Sequence, residues 1–313
     1  MLAALALTVP LFAQQGGGSA DEIPNFPFRM GVIPTPAEEL KTVPTMSVAP
    51  GKRSVRPSYY ILEPEYLPPV MSQGPQGSCT GWSTAYYNYT YGVTRRMKLD
   101  KEKRAEARWK FSPAYVYNQI NNGVDKGSVI GQAVKLMSNQ GCATLAESPY
   151  RVEDFTTRPN EAAKERAARY KAPSYACFSQ GARPDLEAVK RYLYEVRNPV
   201  SFGLFLRENF PTGSKDADYV YTGEGKRIGG HAMTVIGYDD QKAAFLIVNS
   251  WGERWGNKGF LYISYESMKS DGFEFWAITP GGWDGRSGPK PSLTTPADPK
   301  IPVTLVVNPP AGS

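Results

Sequence analysis

The chain is poor in the residues from which metal centres are made: among 313 residues there is one histidine, His231, and three cysteines, Cys79, Cys142 and Cys177. A site needing several imidazole or thiolate ligands is therefore excluded, and no cofactor is expected. A strong charge bias is also missing. The chain has 36 Lys and Arg against 30 Asp and Glu, and the resulting +6 gives no basis for binding nucleic acid. The two densest basic runs, "KLDKEKRAEARWK" at residues 98–110 and "EAAKERAARYK" at residues 161–171, interleave acids at helical spacing and read as solvated helix faces. The apolar stretch at residues 2–13 is too short to cross a bilayer as a helix but has the length of a signal-peptide core, so no membrane span and export of the mature chain are expected.

What is present falls into distinct stretches. Residues 14–58 are rich in Pro, Gly and small polar residues with no sustained period of 3.6 or 2, which suggests an extended N-terminal arm or a short pro-segment. Residues 59–280 have the character of a folded domain, and residues 281–313 that of a Pro-rich tail or linker with one strand-like piece at 303–307. Helices are expected at 81–97, at 112–121 (where Ser112-Pro113 supplies an N-cap and a first turn), at 130–139, and at 184–196 with Asp185 and Glu187 at its start. Strands are expected in "PVSFGLFL", "AMTVIGYDD", "AAFLIVNSW", "GFLYISY" and "FEFWAIT", short apolar runs bounded by turn residues. Helices gathered early and strands late imply an α+β protein with two lobes. Nothing calls for an oligomer, and a monomer is expected.

The chemistry concentrates around "SQGPQGSCTGWSTAYYNY", residues 72–89. Gly77-Ser78 gives an open approach to Cys79, which stands where the next helix begins and where the helix dipole favours a thiolate. Gln73 lies upstream across a glycine-bearing loop. The single imidazole opens a strand in "GGHAMTVIGYDD", and Asn249 ends the following strand in "IVNSWGERWGNKGF". A turn at residues 239–242 would bring His231 and Asn249 side by side, with the Asn amide placed to fix the ring. The constellation is a thiol, a base, an orienter and an amide donor.

In this order, "QGPQGSC", "SPAYVY", "GSVIGQAVKLMSNQG", "ESPY", "NPVSFGLFL", "GGHAMTVIGY" and "NSWGERWGNKGF" resemble the papain-like cysteine peptidases, of the kind found among secreted bacterial proteins. The resemblance covers residues 59–279. It implies a two-lobe papain-like fold with the site in the cleft, and a secreted or periplasmic enzyme acting on polypeptides. It implies Cys79 as nucleophile, His231 as general base and acid, Asn249 as orienter, and Gln73 as oxyanion donor with the Cys79 backbone N–H. Trp251 would shield the His–Asn bond. Gly127 and Ser128 would hydrogen-bond substrate backbone as an added strand, and Gly230 would border the same cleft. The main pocket would be walled by Val129, Ile130, Gly203, Gly229 and Ala232, small or apolar residues that favour an aliphatic or aromatic substrate side chain. Glu274 is the one acid near it, and simple alternation sets it on the face opposite Phe273 and Phe275.

Positions 76 and 125, where relatives carry a cysteine pair, are Gln and Asp here. Cys142 and Cys177 remain, and in an exported chain they are a candidate disulfide worth roughly 3 kcal/mol in loop entropy, with two buried free thiols as the alternative. Cys79 and His231 are expected to rest as thiolate and imidazolium. Two other functions use the same residues: a catalytically silent binding module, whose usual mark would be loss of Cys, His or Asn, and an acyl transferase, which shares the thioester and differs only in its acceptor.

Overall fold

A computed structural model describes residues 27–48, 55–179 and 184–281, and the backbone of a strand at 305–308; the expected signal-peptide core lies outside these residues. The arm is not a loose extension. Strand β1 (Val32–Ile33), helix α1 (Ala37–Lys41) and strand β2 (Thr45–Val48) fold against the domain, and Met30, Val32, Leu40, Val43 and Met46 are buried. Each such side chain contributes about 1.5–3 kcal/mol when fully buried, so the arm is integral to the fold. No period marks it in the sequence because its contacts are made along an irregular path.

After β3 (Tyr59–Ile61), a rod crosses the molecule: helix α2 (Cys79–Gly81) runs through the π-helical turns Trp82–Tyr89 into α3 (Thr90–Arg96). Its start lies tight on α5 (Pro113–Ile120), which follows the short α4 (Lys101–Ala105). A Cβ at Gly81 would sit 2.5 Å from the Pro113 carbonyl oxygen, so glycine permits that approach. Ser112 caps α5 by accepting from the Tyr115 N–H at 3.1 Å, as expected. Strand β4 (Ser128–Val129) leads into α6 (Ile130–Asn139), and α7 (Glu161–Ala167) completes the helical lobe.

The second lobe is a sheet built from β5 (Tyr175–Cys177), β6 (Val200–Arg207), β7 (Val220–Tyr221), β8 (Arg227–Asp239), β9 (Ala244–Val248), β10 (Phe260–Ser264) and β11 (Gly272–Ile278), with α8 (Leu186–Arg191) and α9 (Tyr265–Asp271) beside it. With β12 (Leu305–Asn308) the order is β12-β2-β5-β11-β6-β8-β9-β10-β7, and β3 pairs with β8. The arm strand β2 is therefore a member of this sheet. Among the described residues no helix is long and apolar enough to cross a membrane.

Two cores result. Phe202, Val235, Ile247 and Phe275 lie in one under the sheet, while Ile130, Val134, Phe111 and Ile278 lie in the other among the helices. The rod belongs to both, with Trp82 in the first and Cys79 in the second. The cleft between the lobes thus opens at the beginning of the rod, where Cys79 is. The structure is an α+β fold of two lobes, as expected.

Candidate active site

The sheet lobe supplies the base. His231 sits in β8 opposite Leu204 of β6, and β8 pairs antiparallel with β9, whose end carries the chain to Asn249. His231 Nε2 and Asn249 Oδ1 are 2.7 Å apart. The Ser250 backbone N–H donates to the same oxygen at 2.7 Å, which identifies that atom as the amide oxygen. Nε2 is then the protonated nitrogen, and Nδ1 keeps its lone pair. Trp251 lies against the imidazole, ring centroids 4.5 Å apart, and His231 and Asn249 are both buried.

On the other wall Cys79 is completely buried, with the backbones of Ala232 and Gly31 against its sulfur. Burial pushes the Cys79 thiol up to about 11 and the His231 imidazole down to about 4. Loss of solvation thus disfavours the charged form of each group in this closed state, against the expected ion pair.

The burial has a visible cause in the arm. The Gly31 N–H donates to the Gly230 carbonyl at 3.1 Å on the sheet wall, and the Ser128 N–H donates to the Gly31 carbonyl at 2.7 Å on the helical wall. Val32 and Ile33 pair parallel with Ser128 and Val129. The expected substrate edge is thus filled by the chain's own strand. A Cβ at Gly31 would stand 2.3 Å from the Gly77 carbonyl oxygen, and one at Gly127, whose φ is +90°, would stand 2.1 Å from the Gly31 carbonyl oxygen; no side chain fits between these backbones. Phe28 stacks on Trp251 with centroids 4.4 Å apart and rings 6° from parallel.

Gln73 is held by the Ser250 hydroxyl, which donates to its Oε1 at 2.6 Å. Its Nε2 donates to the Gln76 carbonyl at 2.7 Å and the Arg29 carbonyl at 3.1 Å. Its expected oxyanion acceptor is therefore replaced here by an arm carbonyl. Below it, Asp125 Oδ1 accepts from the Gly77 N–H at 2.8 Å and the Tyr117 hydroxyl at 2.6 Å. Tyr150 donates its hydroxyl to the Gln73 carbonyl at 2.7 Å and lies 2.8 Å from the Ser78 hydroxyl oxygen. These bonds tie down the loop that carries Cys79.

The profile described as papain family cysteine protease matches residues 63–279. The chain belongs to this family. Among curated relatives it is 29% identical over 230 residues to an uncharacterized peptidase C1-like protein, L477, of Acanthamoeba polyphaga mimivirus, covering 68% of this chain and 71% of that one. It is 27% identical over 220 residues to cathepsin K of Mus musculus, covering 69% and 61% of the two chains. Among solved structures, xylellain, a cysteine protease from Xylella fastidiosa, superposes with a TM-score of 0.58 at 21% identity, covering 80% of this chain and 95% of that one. The proform of the ragweed pollen allergen Amb a 11, a cysteine protease, gives 0.54 at 19% identity, covering 72% and 67%. The protein is a cysteine-type peptidase.

The pocket of this papain-family chain differs from the sequence expectation at three places. Gly203 does not form an open wall, because a Cβ there would meet the Phe273 ring at 2.4 Å; Phe273 is the surface in its stead. Glu274 and Phe273 do not alternate simply. The β6–β11 register shifts between Gly272 and Glu274, and this bulge sets Phe273 beside the helical core while Phe275 stacks on Phe202 in the other. Glu274 is buried with its carboxylate accepting from the Trp276 indole at 2.8 Å and from the Thr35 hydroxyl at 2.7 Å, and also from the Thr35 backbone N–H. Val129 pairs with Ile33, Ile130 and Ala232 are buried, a Cβ at Gly230 would stand 2.4 Å from the Val32 carbonyl oxygen, and Gly229 packs on Met30. Cys142 and Cys177 are free and buried, correcting the disulfide: Cys142 Sγ faces the Ala143 carbonyl and Cys177 Sγ the Ser179 hydroxyl, both at 3.6 Å.

Sequence reasoning missed Ser250, Tyr117, Tyr150 and the inward aim of Glu274, together with the arm contacts of residues 28–35. Asp125 was noticed only as a missing cysteine. Its acceptor role leaves no motif, since any loop may carry an Asp. The arm's one signal was Gly31 inside the apolar "FRMGVIP".

Proposed function

We propose that the chain is a cysteine endopeptidase stored in a latent form, with residues 28–35 as an inhibitory segment across its own cleft. The observation that carries this reading is Gly31, bonded to both walls directly over Cys79. Once the arm leaves, water returns to the pair, and His231 Nδ1 takes the thiol proton. The Cys79 thiolate attacks a peptide carbonyl carbon, and the carbonyl electrons move to an oxyanion met by Gln73 Nε2 and the Cys79 N–H. The C–N bond breaks as His231 returns its proton to the leaving amine. Water, deprotonated by the same imidazole, then cleaves the thioester to a carboxylic acid and the free thiol. Asn249 holds the ring through both halves. The substrate is flexible polypeptide lying along β4, where β1 lies now.

Export to a periplasm or cell exterior is part of the proposal and is supported by the apolar residues 2–13. The test is labelling by a peptidyl epoxide directed at papain-like thiols. Wild type should label slowly, then fast after processing between residues 48 and 59, while Cys79→Ala should not label at all. Labelling of the variant, or of neither chain after processing, rejects the reading; transfer to an added amine as the main product makes the chain an acyl transferase.

A further inference from the structure

The strand-like piece near the C-terminus has no part in the chemistry above. It is β12, Leu305–Asn308, bracketed in the chain by Pro302 on one side and Pro309-Pro310 on the other, so a short ladder is all it can offer. All of that ladder is made with the arm: Leu305, Val306, Val307 and Asn308 run antiparallel to Val48, Ser47, Met46 and Thr45 of β2. The other edge of β2 is held far less. Against β5 only Thr45 is in register, opposite Cys177, and the Cys177 N–H donates to the Pro44 carbonyl at 2.9 Å. Among the described residues, Ser47 and Val48 have no strand partner besides β12.

What holds β2 bears on the cleft, because β2 and β1 are the two ends of one segment joined through α1, and β1 is the strand beside Cys79. Val32, Leu40, Val43 and Met46 are buried along that segment. Lifting β1 far enough to admit a substrate therefore disturbs the seat of β2, and a strand that fixes β2 raises the cost of lifting β1. The chain itself ties β12 to β11, so its pairing with β2 is intramolecular and is not lost on dilution.

We propose that β12 is a latch: the C-terminal strand clamps β2 and thereby keeps β1 over Cys79, so that both ends of the chain set the latency of the enzyme. The proposal rests on the reading of the chain as a peptidase closed by its arm. Processing between residues 48 and 59 cuts the chain beside Val48, which is the partner of Leu305. From then on the arm has no covalent link to the domain, and the longest ladder that retains it is the one with β12. Opening the cleft thus takes two events, a cut in the chain and the parting of β2 from β12.

The test uses proline, which removes one backbone N–H. Successive N–H groups of an antiparallel strand point to opposite edges, so of Val306 and Val307 one donates toward β2 and the other toward the outer edge of the sheet. Val306→Pro and Val307→Pro are made in the full chain, and epoxide labelling of the unprocessed forms is timed, with thermal melting as a folding check. The epoxide reaches Cys79 only when the arm is lifted, so the rate reads the open fraction. One variant should label roughly 2- to 13-fold faster than wild type, the effect of one ladder hydrogen bond, and the other at the wild-type rate. Equal rates in the two variants, at the wild-type value or above it, overturn the proposal. Hydrogen exchange of the wild-type chain decides without a variant: the amides of residues 305–308 should be protected together with those of 46–48, and unprotected amides throughout 305–308 overturn the latch. If Gly31→Ala labels faster while both proline variants match wild type, only this inference is refuted. A wild-type chain that takes up no epoxide even after processing refutes the peptidase reading and the latch with it.

Discussion

The two walls of the cleft hold their key residues by different means. His231 is fixed by strand register: β8 pairs with β6 at Leu204, and the β8–β9 ladder, which ends at Thr234 and Val248, delivers Asn249 and Trp251 to its ring. Cys79 stands on a helix start whose preceding loop has no ladder, and that loop is fixed by side chains, Asp125, Tyr117 and Tyr150. Losing one bond from a ladder leaves its neighbours in place, whereas losing Asp125 releases Gly77 and Tyr117 together. The sheet wall should therefore tolerate local loss in its geometry, whereas the loop around Cys79 should not.

The strongest way to break the comparison is on the sheet wall. His231→Ala should lower kcat/KM by about 10⁴-fold or more, because no other imidazole exists, while Asn249→Ala should cost on the order of 10²-fold. Steady-state kinetics on processed enzyme decides it, and equal losses would mean that Asn249 does more than orient.

The next concerns what joins the walls. Gly31→Ala places a methyl group against the Gly77 carbonyl oxygen, a backbone atom that has nowhere to go. Overpacking of this kind costs about 1–3 kcal/mol. Epoxide labelling of the unprocessed chain should therefore speed up roughly 5- to 150-fold; an unchanged rate would show that the arm is not what limits access.

Acid should loosen the same contact. His231 is depressed by burial to about 4 with the arm seated, and in the open cleft it returns toward its ordinary 6.5. A group depressed in the closed state stabilises that state above its open-state value and withdraws the support as pH falls toward the closed-state value. Between pH about 6.5 and about 4 the seated arm thus loses up to about 3 kcal/mol from this group. Glu274, raised by burial, acts in the opposite sense. Labelling of the unprocessed chain at pH 7 and pH 5 measures the net effect, and slower labelling at pH 5 would assign control to Glu274. Cys79, raised to about 11, leaves this window untouched.

The smallest effect expected is on the loop wall. Asp125→Ala strands the Gly77 N–H and the Tyr117 hydroxyl, a cost of about 1–3 kcal/mol. The melting temperature should fall and kcat should drop about tenfold with little change in KM. Asp125→Asn, whose amide oxygen still accepts both bonds, should restore most of it; failure of that rescue would locate the effect in the charge.

The same contrast explains what was legible in the sequence. Residues set by periodicity could be read: the expected helix at 130–139 is α6, and the five expected strands are β6, β8, β9, β10 and β11. Glycines and strand ends marked Cys79, His231 and Asn249, of which the structure joins the last two, while Gln73 was singled out by the resemblance. The arm could not, since its grip is made of backbone bonds at Gly31 and Ser128, and a single glycine in an irregular stretch does not say which backbone it will lie against. Nor could the aim of Glu274, because a bulge shifts the alternation without leaving a residue signature. Counting cysteines left over from Cys79 suggested a bridge between two thiols that face different partners.

Gly31 over Cys79 also sets how long the protein can wait. Oxidants consume thiolates that they can reach, carrying them through sulfenic to sulfinic acid, from which a peptidase does not return. The seated arm removes both conditions at once, since the sulfur is inaccessible and stays protonated to about pH 11. In an oxidising compartment the latent chain is thus a storage form. Its lifetime begins to be counted only when residues 28–35 withdraw, and from that moment hydrolysis and oxidation compete for the same sulfur atom.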